Sequence, residues 1–313
     1  MVKDGKLRDK LDCLLLERLT KGDFDCIWLC APKIVDWESV AGFKYSSGKK
    51  AIQYYDTRIE ECLNEIGRNG IDIALLKRRK ILAIDDDGVP AFEDTVYRFI
   101  YAEVWHDELT YVLNAGVWYA ITPDYVKSIQ GQYEIIKSKE YDKDLLEYND
   151  ESEGHYNVRL ASSDSAQFAL LDKHNILLPD AVSPVEPCDI YRQGKELIHI
   201  KRYGGSSVLS HLFSQGLVSG ELLKRELQFR KELNKRLPMH LKIDDIENRQ
   251  RPDEYTIVFG IISEQDEGLS LPFFSKISLK HAVNRLEAYG HKVKIAKIPV
   301  SELKKKTKKL PPG

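Results

Sequence analysis

Long apolar runs are missing from this chain. The longest, around Tyr255–Ile262, has 8 residues, far short of the ~20 that a membrane-spanning helix needs. A charged-then-apolar leader is missing too, because Met1–Asp12 is mostly polar and an amphipathic segment follows. A cytoplasmic location without a membrane partner is therefore expected. Cysteine is sparse. The 5 thiols, Cys13, Cys26, Cys30, Cys62 and Cys188, are odd in number and irregularly spaced. No second Cys/His pair follows Cys26 and Cys30 at zinc-finger spacing, so reduced, mostly buried thiols are expected rather than disulfides or structural zinc. Glycine and proline, 19 and 12 among 313 residues, are too few for a collagenous or low-complexity chain. At 42% hydrophobic the chain can bury a core, and its length suits two domains or one large one. No internal repeat, paired-Glu glycosidase pattern or Ser-His-Asp order occurs. Gly204-Gly205-Ser206 lacks the Gly-Lys-Ser/Thr end of a Walker loop. Asp85-Asp86-Asp87-Gly88 lacks the later ligands of a calcium-binding EF-hand loop and reads as a turn.

What is present is an uneven distribution of charge. Residues 192–313 carry 24 Lys and Arg against 14 Asp and Glu, a net of +10, while residues 1–191 carry 23 against 35, a net of −12. Such asymmetry points to nucleic acid or another anionic partner, since Lys and Arg gain affinity for phosphates by releasing counterions. Docking of the acidic half on the basic half is the plainer alternative. Five of the cations lie in the tail at Lys304, Lys305, Lys306, Lys308 and Lys309.

Periodicity predicts helices over 7–19, 59–66, 73–79 and 123–129 and strands over 27–29, 80–84, 96–105, 109–113 and 117–121. Residues 1–145 thus read as an α+β domain with an antiparallel meander. Trp105, Tyr111, Trp118 and Tyr119 sit at strand spacing, as core aromatics do. Residues 140–154, dense in acids and turn formers, read as a linker or surface loop. Beyond it, helices are predicted over 158–166, 206–235 (broken near Gly216 and Gly220) and 279–289. Strands are predicted over 168–172, 184–191, 196–202, 255–262, 273–277 and 293–298. This order makes residues 146–300 an α/β domain, and 301–313 is expected to be a disordered basic tail.

The chemistry concentrates around Glu186-Pro187-Cys188-Asp189-Ile190-Tyr191 and His199-Ile200-Lys201-Arg202. Alternation along a strand aims His199 and Lys201 the same way. Asp189 is expected on the neighbouring antiparallel strand, across the turn at Gln193-Gly194. Downstream, Gly204-Gly205 permits close approach of an anion, and Ser206 or Ser207 can cap the next helix, whose free N–H groups favour phosphate. Ser207, Ser210, His211, Ser214 and Gln215 then form one polar stripe. Lys276 adds a basic group after Phe273-Phe274.

This layout resembles the PD-(D/E)xK nuclease superfamily, whose core runs helix, three strands, helix, strand. The resemblance implies a restriction-endonuclease-like domain with Asp189 as a metal ligand and Lys201 as the lysine that organises the attacking water. His199 stands at the middle acidic position. Mg²⁺ prefers oxygen, so either the metal is unusual, or Glu186, Asp172 or Glu153 substitutes, or the site is inactive.

Four stretches carry a second resemblance: Leu29–Trp37, Thr110–Tyr119, His199–Ser207 with Ser210–Phe213, and Leu271–Lys276. Through them the chain resembles the C-terminal part of a sporadically distributed bacterial family found among restriction and phage-defence genes. A His in the x-Ile-Lys position is that family's habit.

The leading expectation is a metal-dependent nuclease acting on DNA or RNA with Mg²⁺ or Mn²⁺. Asp189, His199 and Glu186 would bind the metal. Asp189, His199 and Lys201 would act in catalysis, His199 as a ligand or proton carrier. Arg202, Ser206, Ser207, Ser210, His211, Gln215 and Lys276 would bind substrate. Non-catalytic nucleic-acid binding and a sensor subunit are the alternatives, with a second copy or a defence-system protein as partner.

Overall fold

Asp4 opens the first helix by accepting the N–H groups of Lys6 and Leu7 at 2.8 and 3.3 Å, donors with no partner inside the helix. The computed structural model describes residues 1–32, 40, 42–46, 48, 51–54, 57–85, 87–149, 151–179, 184–203, 206–247, 251–265 and 268–301, with the backbone alone for Asn69, Ser206, Ser207 and Pro252. Two compact units result. One holds Met1–Gln130, Gly204–Val208 and Pro272–Ser275; the other holds Gly131–Tyr203, Leu209–Leu271 and the chain from Lys276. Among the described residues no helix is long and apolar enough to cross a membrane.

The first unit runs α1 (Gly5–Lys21), β1 (Ile27–Leu29), β2 (Gly42–Lys44), α2 (Ile59–Ile66), α3 (Ile73–Arg78), β3 (Lys80–Ile84), β4 (Pro90–Thr95), α4 (Val96–Phe99), β5 (Ile100–His106), β6 (Leu109–Asn114), β7 (Val117–Ile121) and most of α5 (Pro123–Lys137). Its sheets are antiparallel, ordered β1-β5-β6-β7 and β2-β3-β4. The predicted meander is present. The predicted strand from Val96 begins with the helical turn α4 instead, because the Thr95 hydroxyl accepts the Arg98 N–H and caps it. Asp12 on α1 is buried and receives the Tyr97 hydroxyl (2.7 Å) and the Trp118 indole N–H (2.9 Å). Trp118 and Tyr111 are buried as expected, but Trp105 is 74% exposed, so its side chain belongs to the surface face of β5. At the β3–β4 turn Asp85 accepts the Val89 N–H (2.8 Å); Asp86 lies outside the described residues. All five cysteines are free thiols.

The second unit continues with α6 (Glu153–Ser163), β8 (Phe168–Leu170), β9 (Ile190–Arg192), β10 (Glu196–Arg202), α7 (Ser206–Arg225), α8 (Leu227–Arg236), β11 (Thr256–Ser263), α9 (Phe273–Tyr289) and β12 (Lys292–Pro299). One sheet takes the order β12-β11-β10-β9-β8. Its first two pairings, β12 with β11 and β11 with β10, are parallel, and the others are antiparallel. Parallel neighbours need crossovers, which α7 with α8 and then α9 supply. One face carries the larger core, with Leu197, Phe259 and Ile295 from the sheet against Leu212, Phe213 and Leu286. The other carries Ile198, Ile200 and Val258 against Tyr156 and Leu160 of α6.

Several sequence expectations shift here. The acid-rich stretch after residue 140 follows the edge of β12, with the Tyr141 N–H on Ile295 O (2.8 Å) and the Tyr148 N–H on Pro299 O (2.9 Å). α6 begins at Glu153, five residues before the predicted 158, because Ser152 caps it by accepting the His155 N–H (3.2 Å). Residues 273–277 open helix α9 rather than a strand: a five-residue apolar run does not reveal its own period. The helix from Ser206 passes unbroken through Gly216 and Gly220 and breaks at Glu226, where the backbone is extended. Buried Arg230 holds that elbow, donating to the carbonyls of Leu223 (3.1 Å), Lys224 (3.4 Å) and Ile246 (3.0 Å).

The two glycines are there for contact. A Cβ at Gly216 would lie 2.5 Å from Phe259 Cε1, and one at Gly220 would lie 2.5 Å from Leu286 Cδ2. Alanine is intrinsically favoured over glycine in a helix by about 1 kcal/mol, yet overpacking a buried seam costs about 1–3 kcal/mol. Gly216→Ala is expected to lose stability by up to about 2 kcal/mol, measured as a lower urea midpoint at unchanged slope.

Candidate functional site: a carboxylate cluster beside Lys201

β9 and β10 form a tight hairpin in the register Ile190↔Ile198, Tyr191↔Leu197 and Arg192↔Glu196. Gly194 and Lys195 turn the chain with φ of 92° and 63°. Past Ile190 the Asp189 N–H still donates to Ile198 O (3.1 Å). The next donor, the Ile200 N–H, goes to Asp189 Oδ2 at 2.6 Å. A side-chain carboxylate thus takes a position that ladder backbone would fill. The Asp189 carbonyl accepts the N–H groups of Leu171 (2.8 Å) and Asp172 (2.9 Å), which fastens the end of β8 to the same point.

Three carboxylates meet there. One oxygen each from Asp172, Glu186 and Asp189 lies within 4.8 Å of the others. Asn157 of α6 sets its Nδ2 between Asp172 Oδ2 (3.1 Å) and Asp189 Oδ1 (3.2 Å). Glu186 accepts the Lys173 N–H (2.7 Å) and the Gln215 amide of α7 (3.2 Å). Beside this group, Lys201 Nζ donates to Glu153 Oε2 at 2.7 Å, and the Arg202 N–H donates to Glu153 Oε1 at 2.9 Å. Glu153 therefore fixes both ends of the Lys201-Arg202 step from the first turn of α6.

Burial raises Asp189 well above the usual carboxylate range. The charge of Glu186 and then that of Asp172 add to the rise, against the opposing pull of Lys201. For Lys201, burial works against the ammonium, but Glu153 and Asp189 outweigh it and hold the group above its ordinary range. His199 is 1% exposed. Burial, followed by the charge of Lys201, lowers it to about 3. Its ring packs against Phe259 at 6.5 Å between centroids, and Nε2 has no hydrogen-bond partner.

The donor set is one of hard oxygens. Two oxygens on opposite sides of Mg²⁺ stand about 4.2 Å apart, and on Ca²⁺ about 5 Å. Three carboxylates that all lie within 4.8 Å fit a divalent cation of that kind. The expected ligands Asp189 and Glu186 belong to this cluster. His199 lies outside it: Asp172 supplies the third oxygen, and the buried neutral imidazole is not set up to carry protons.

The residues expected to bind substrate are dispersed. Arg202 has its guanidinium on Glu264 (3.4 Å) and over the Tyr148 ring (5.6 Å). The Ser210 hydroxyl donates to Ser278 on α9 (2.8 Å), and His211 is partly buried on α7. Gln215 joins the cluster through Glu186. Lys276 lies 5.4 Å from the Tyr133 ring centroid. Gly204, Gly205, the side chains of Ser206 and Ser207, and the tail from 302 lie outside the described residues. Sequence reading had Glu153 and Asp172 only as alternatives and missed Asn157, which sits one helical turn after Glu153 on the face that reaches the sheet.

The fold and site define a mixed α+β protein with a partly buried cluster of three carboxylates, flanked by a charge-paired lysine, at one end of a sheet. The chain belongs to the family of unknown function DUF6119, whose model matches residues 1–299. No curated protein and no solved structure matches it.

The depressed His199 fixes a pH dependence. The unfolded chain takes up a proton near pH 6.5 and the folded chain does so only near 3, so this contribution to stability is complete above about 6.5 and falls away with acidification. Between pH 7.5 and 5 the loss is about 2 kcal/mol. Urea titrations at the two pH values are expected to show a loss smaller by about that amount in His199→Leu than in the native chain.

Proposed function

We propose that this protein is a metal-dependent phosphodiesterase that cuts nucleic acid. The observation that carries the reading is the trio Asp172, Glu186 and Asp189 within 4.8 Å, with Lys201 beside it. The order α6, β8, β9, β10, α7, β11, with β11 parallel to β10, also supports it, since it matches the helix, three strands, helix, strand core of the PD-(D/E)xK nucleases. In this reading the three carboxylates hold Mg²⁺ or Mn²⁺. The bound cation would neutralise phosphoryl charge and polarise the scissile bond. Glu153 holds the Lys201 ammonium at a fixed place, where it meets charge developing on the phosphoryl oxygens without reorganising. Asn157 and the Ile200 N–H keep the Asp189 carboxylate aimed. His199 takes no proton and closes the apolar side of the site. The net of +10 over residues 192–313 supports a polyanionic substrate. A phage-defence or mobile-element setting rests on the family resemblance in the sequence.

One observation favours a second reading, a nucleic-acid-binding or sensor module that does not cut. Lys201 is already paired with Glu153 at 2.7 Å, and the middle acidic position holds a neutral His199.

The test is to incubate the protein with plasmid DNA, single-stranded DNA and RNA, in Mg²⁺, Mn²⁺ or EDTA, beside Asp189→Asn and Lys201→Ala. Cutting is expected only with the cation and is expected to fall by about 10²–10³ in either variant. Binding without cutting, salt-sensitive and weakened in Lys201→Ala, would establish the second reading in its place.

A further inference from the structure

Asn157 is 1% exposed and sits inside the carboxylate cluster, yet only half of its amide is satisfied. Nδ2 donates to Asp172 and Asp189 at 3.1 and 3.2 Å, while Oδ1 is buried with no hydrogen-bond partner. A buried, unpaired carbonyl oxygen is uncommon in a settled interior. The two ends of an asparagine amide are nearly the same shape, and a half-turn about its last bond exchanges donor for acceptor. Between two carboxylates the donor end is favoured while no cation is present. With a cation there, the preference reverses.

We propose that Asn157 is the fourth oxygen ligand of the cluster: a divalent cation held by Asp172, Glu186 and Asp189 turns the amide, and Oδ1 joins them. The inference rests on the metal-binding reading above and goes beyond it by naming a ligand and a cation class. A neutral carbonyl adds an oxygen without adding a fourth negative charge to a site that already holds three carboxylates. Carboxylate and amide oxygens together select Mg²⁺, Mn²⁺ or Ca²⁺ over Zn²⁺, which favours nitrogen and sulfur. In the cation-free protein the Nδ2–H groups stand in for the ion by screening Asp172 from Asp189.

Calorimetric titration of the full chain with Mn²⁺ tests whether Asn157 contributes to cation binding. If Oδ1 is a ligand, Asn157→Ala weakens Mn²⁺ binding by roughly tenfold, within the range seen on loss of groups at metal sites. Unchanged or tighter Mn²⁺ binding in Asn157→Ala would overturn the proposal while the cluster stands. A group that only supports the carboxylates gives a similar loss, so the direction of the amide in the bound state decides between the two roles. No Mn²⁺ binding by the native chain would overturn the cluster reading and this proposal together. Because Asn157→Ala can disturb folding, a second measurement uses the native chain: the Asn157 side-chain NH₂ pair in a ¹⁵N spectrum during Mg²⁺ addition. Loss of its hydrogen bonds, seen as an upfield shift that saturates with binding, supports the turn. An unmoved pair in a Mg²⁺-bound protein would refute it.

Discussion

Asp189 ends the pairing of β9 with β10 and begins the site with the same carboxylate. Its Oδ2 takes the Ile200 N–H at 2.6 Å, a donor that would otherwise be left over where the hairpin stops. That bond satisfies the backbone and holds an anion in a buried place. With Asp172 and Glu186 brought to within 4.8 Å, the cost becomes large. At an effective dielectric of about 20, two unit charges that far apart repel by about 3 kcal/mol. Burial is the larger cause of the raised affinity of Asp189 for a proton, and that repulsion adds to it. The surrounding donors, Asn157, the Lys173 N–H and the Gln215 amide, are arranged to lessen it.

The lysine is held by a different logic. Glu153 opens α6, and its two oxygens take consecutive groups on β10, the Lys201 ammonium and the Arg202 N–H. The helix start and the strand end are thereby locked in register. Burial disfavours the charged ammonium, and Glu153 and Asp189 beside Lys201 more than offset it. One carboxylate is therefore spent on preserving a cation, and the other three are left to the cluster. That division follows from where each side chain leaves the backbone: Glu153 from a helix end, Asp189 from a broken ladder, Asp172 and Glu186 from the segment between β8 and β9.

How much of this was legible in sequence follows the range of the interactions. The hairpin was readable because Gln193-Gly194 marks the turn and 196–202 alternates with the period of a strand, so Asp189 and Lys201 came out as neighbours. Glu153, Asn157 and Asp172 were harder. Asn157 reaches Asp189 across 32 residues, and Glu153 reaches Lys201 across 48, joined by tertiary packing that no local period encodes. The glycines misled in the other direction. Gly216 and Gly220 read as helix breakers, but each gives space to Phe259 or Leu286, information that resides in the partner surface. Phe273–Ile277 read as a strand because a short apolar run fits either period, and the charge run at 140–154 read as a linker because nothing local tells that β12 has an edge to cover.

His199 then has a physical account. It stands on β10 two residues before Lys201, on the side of the sheet lined by Phe259 and Phe213. An acid there would be a fourth anion in the same low-dielectric region, without the donors that Asp189 enjoys. A neutral imidazole fills the volume, packs on Phe259 and leaves the electrostatics to the other three. Once Glu153 and Lys201 cancel, three carboxylates remain in the cluster, three negative charges when all are ionised. On the proposed reading a divalent cation removes two of them, and a phosphate group entering the site brings more. The remaining neutralisation must come from outside the cluster, and it is the half of the chain beginning at Arg192, with its excess of Lys and Arg, that can supply it. The charge asymmetry along the sequence and the carboxylate cluster in the fold are, on that view, two sides of one electrostatic requirement.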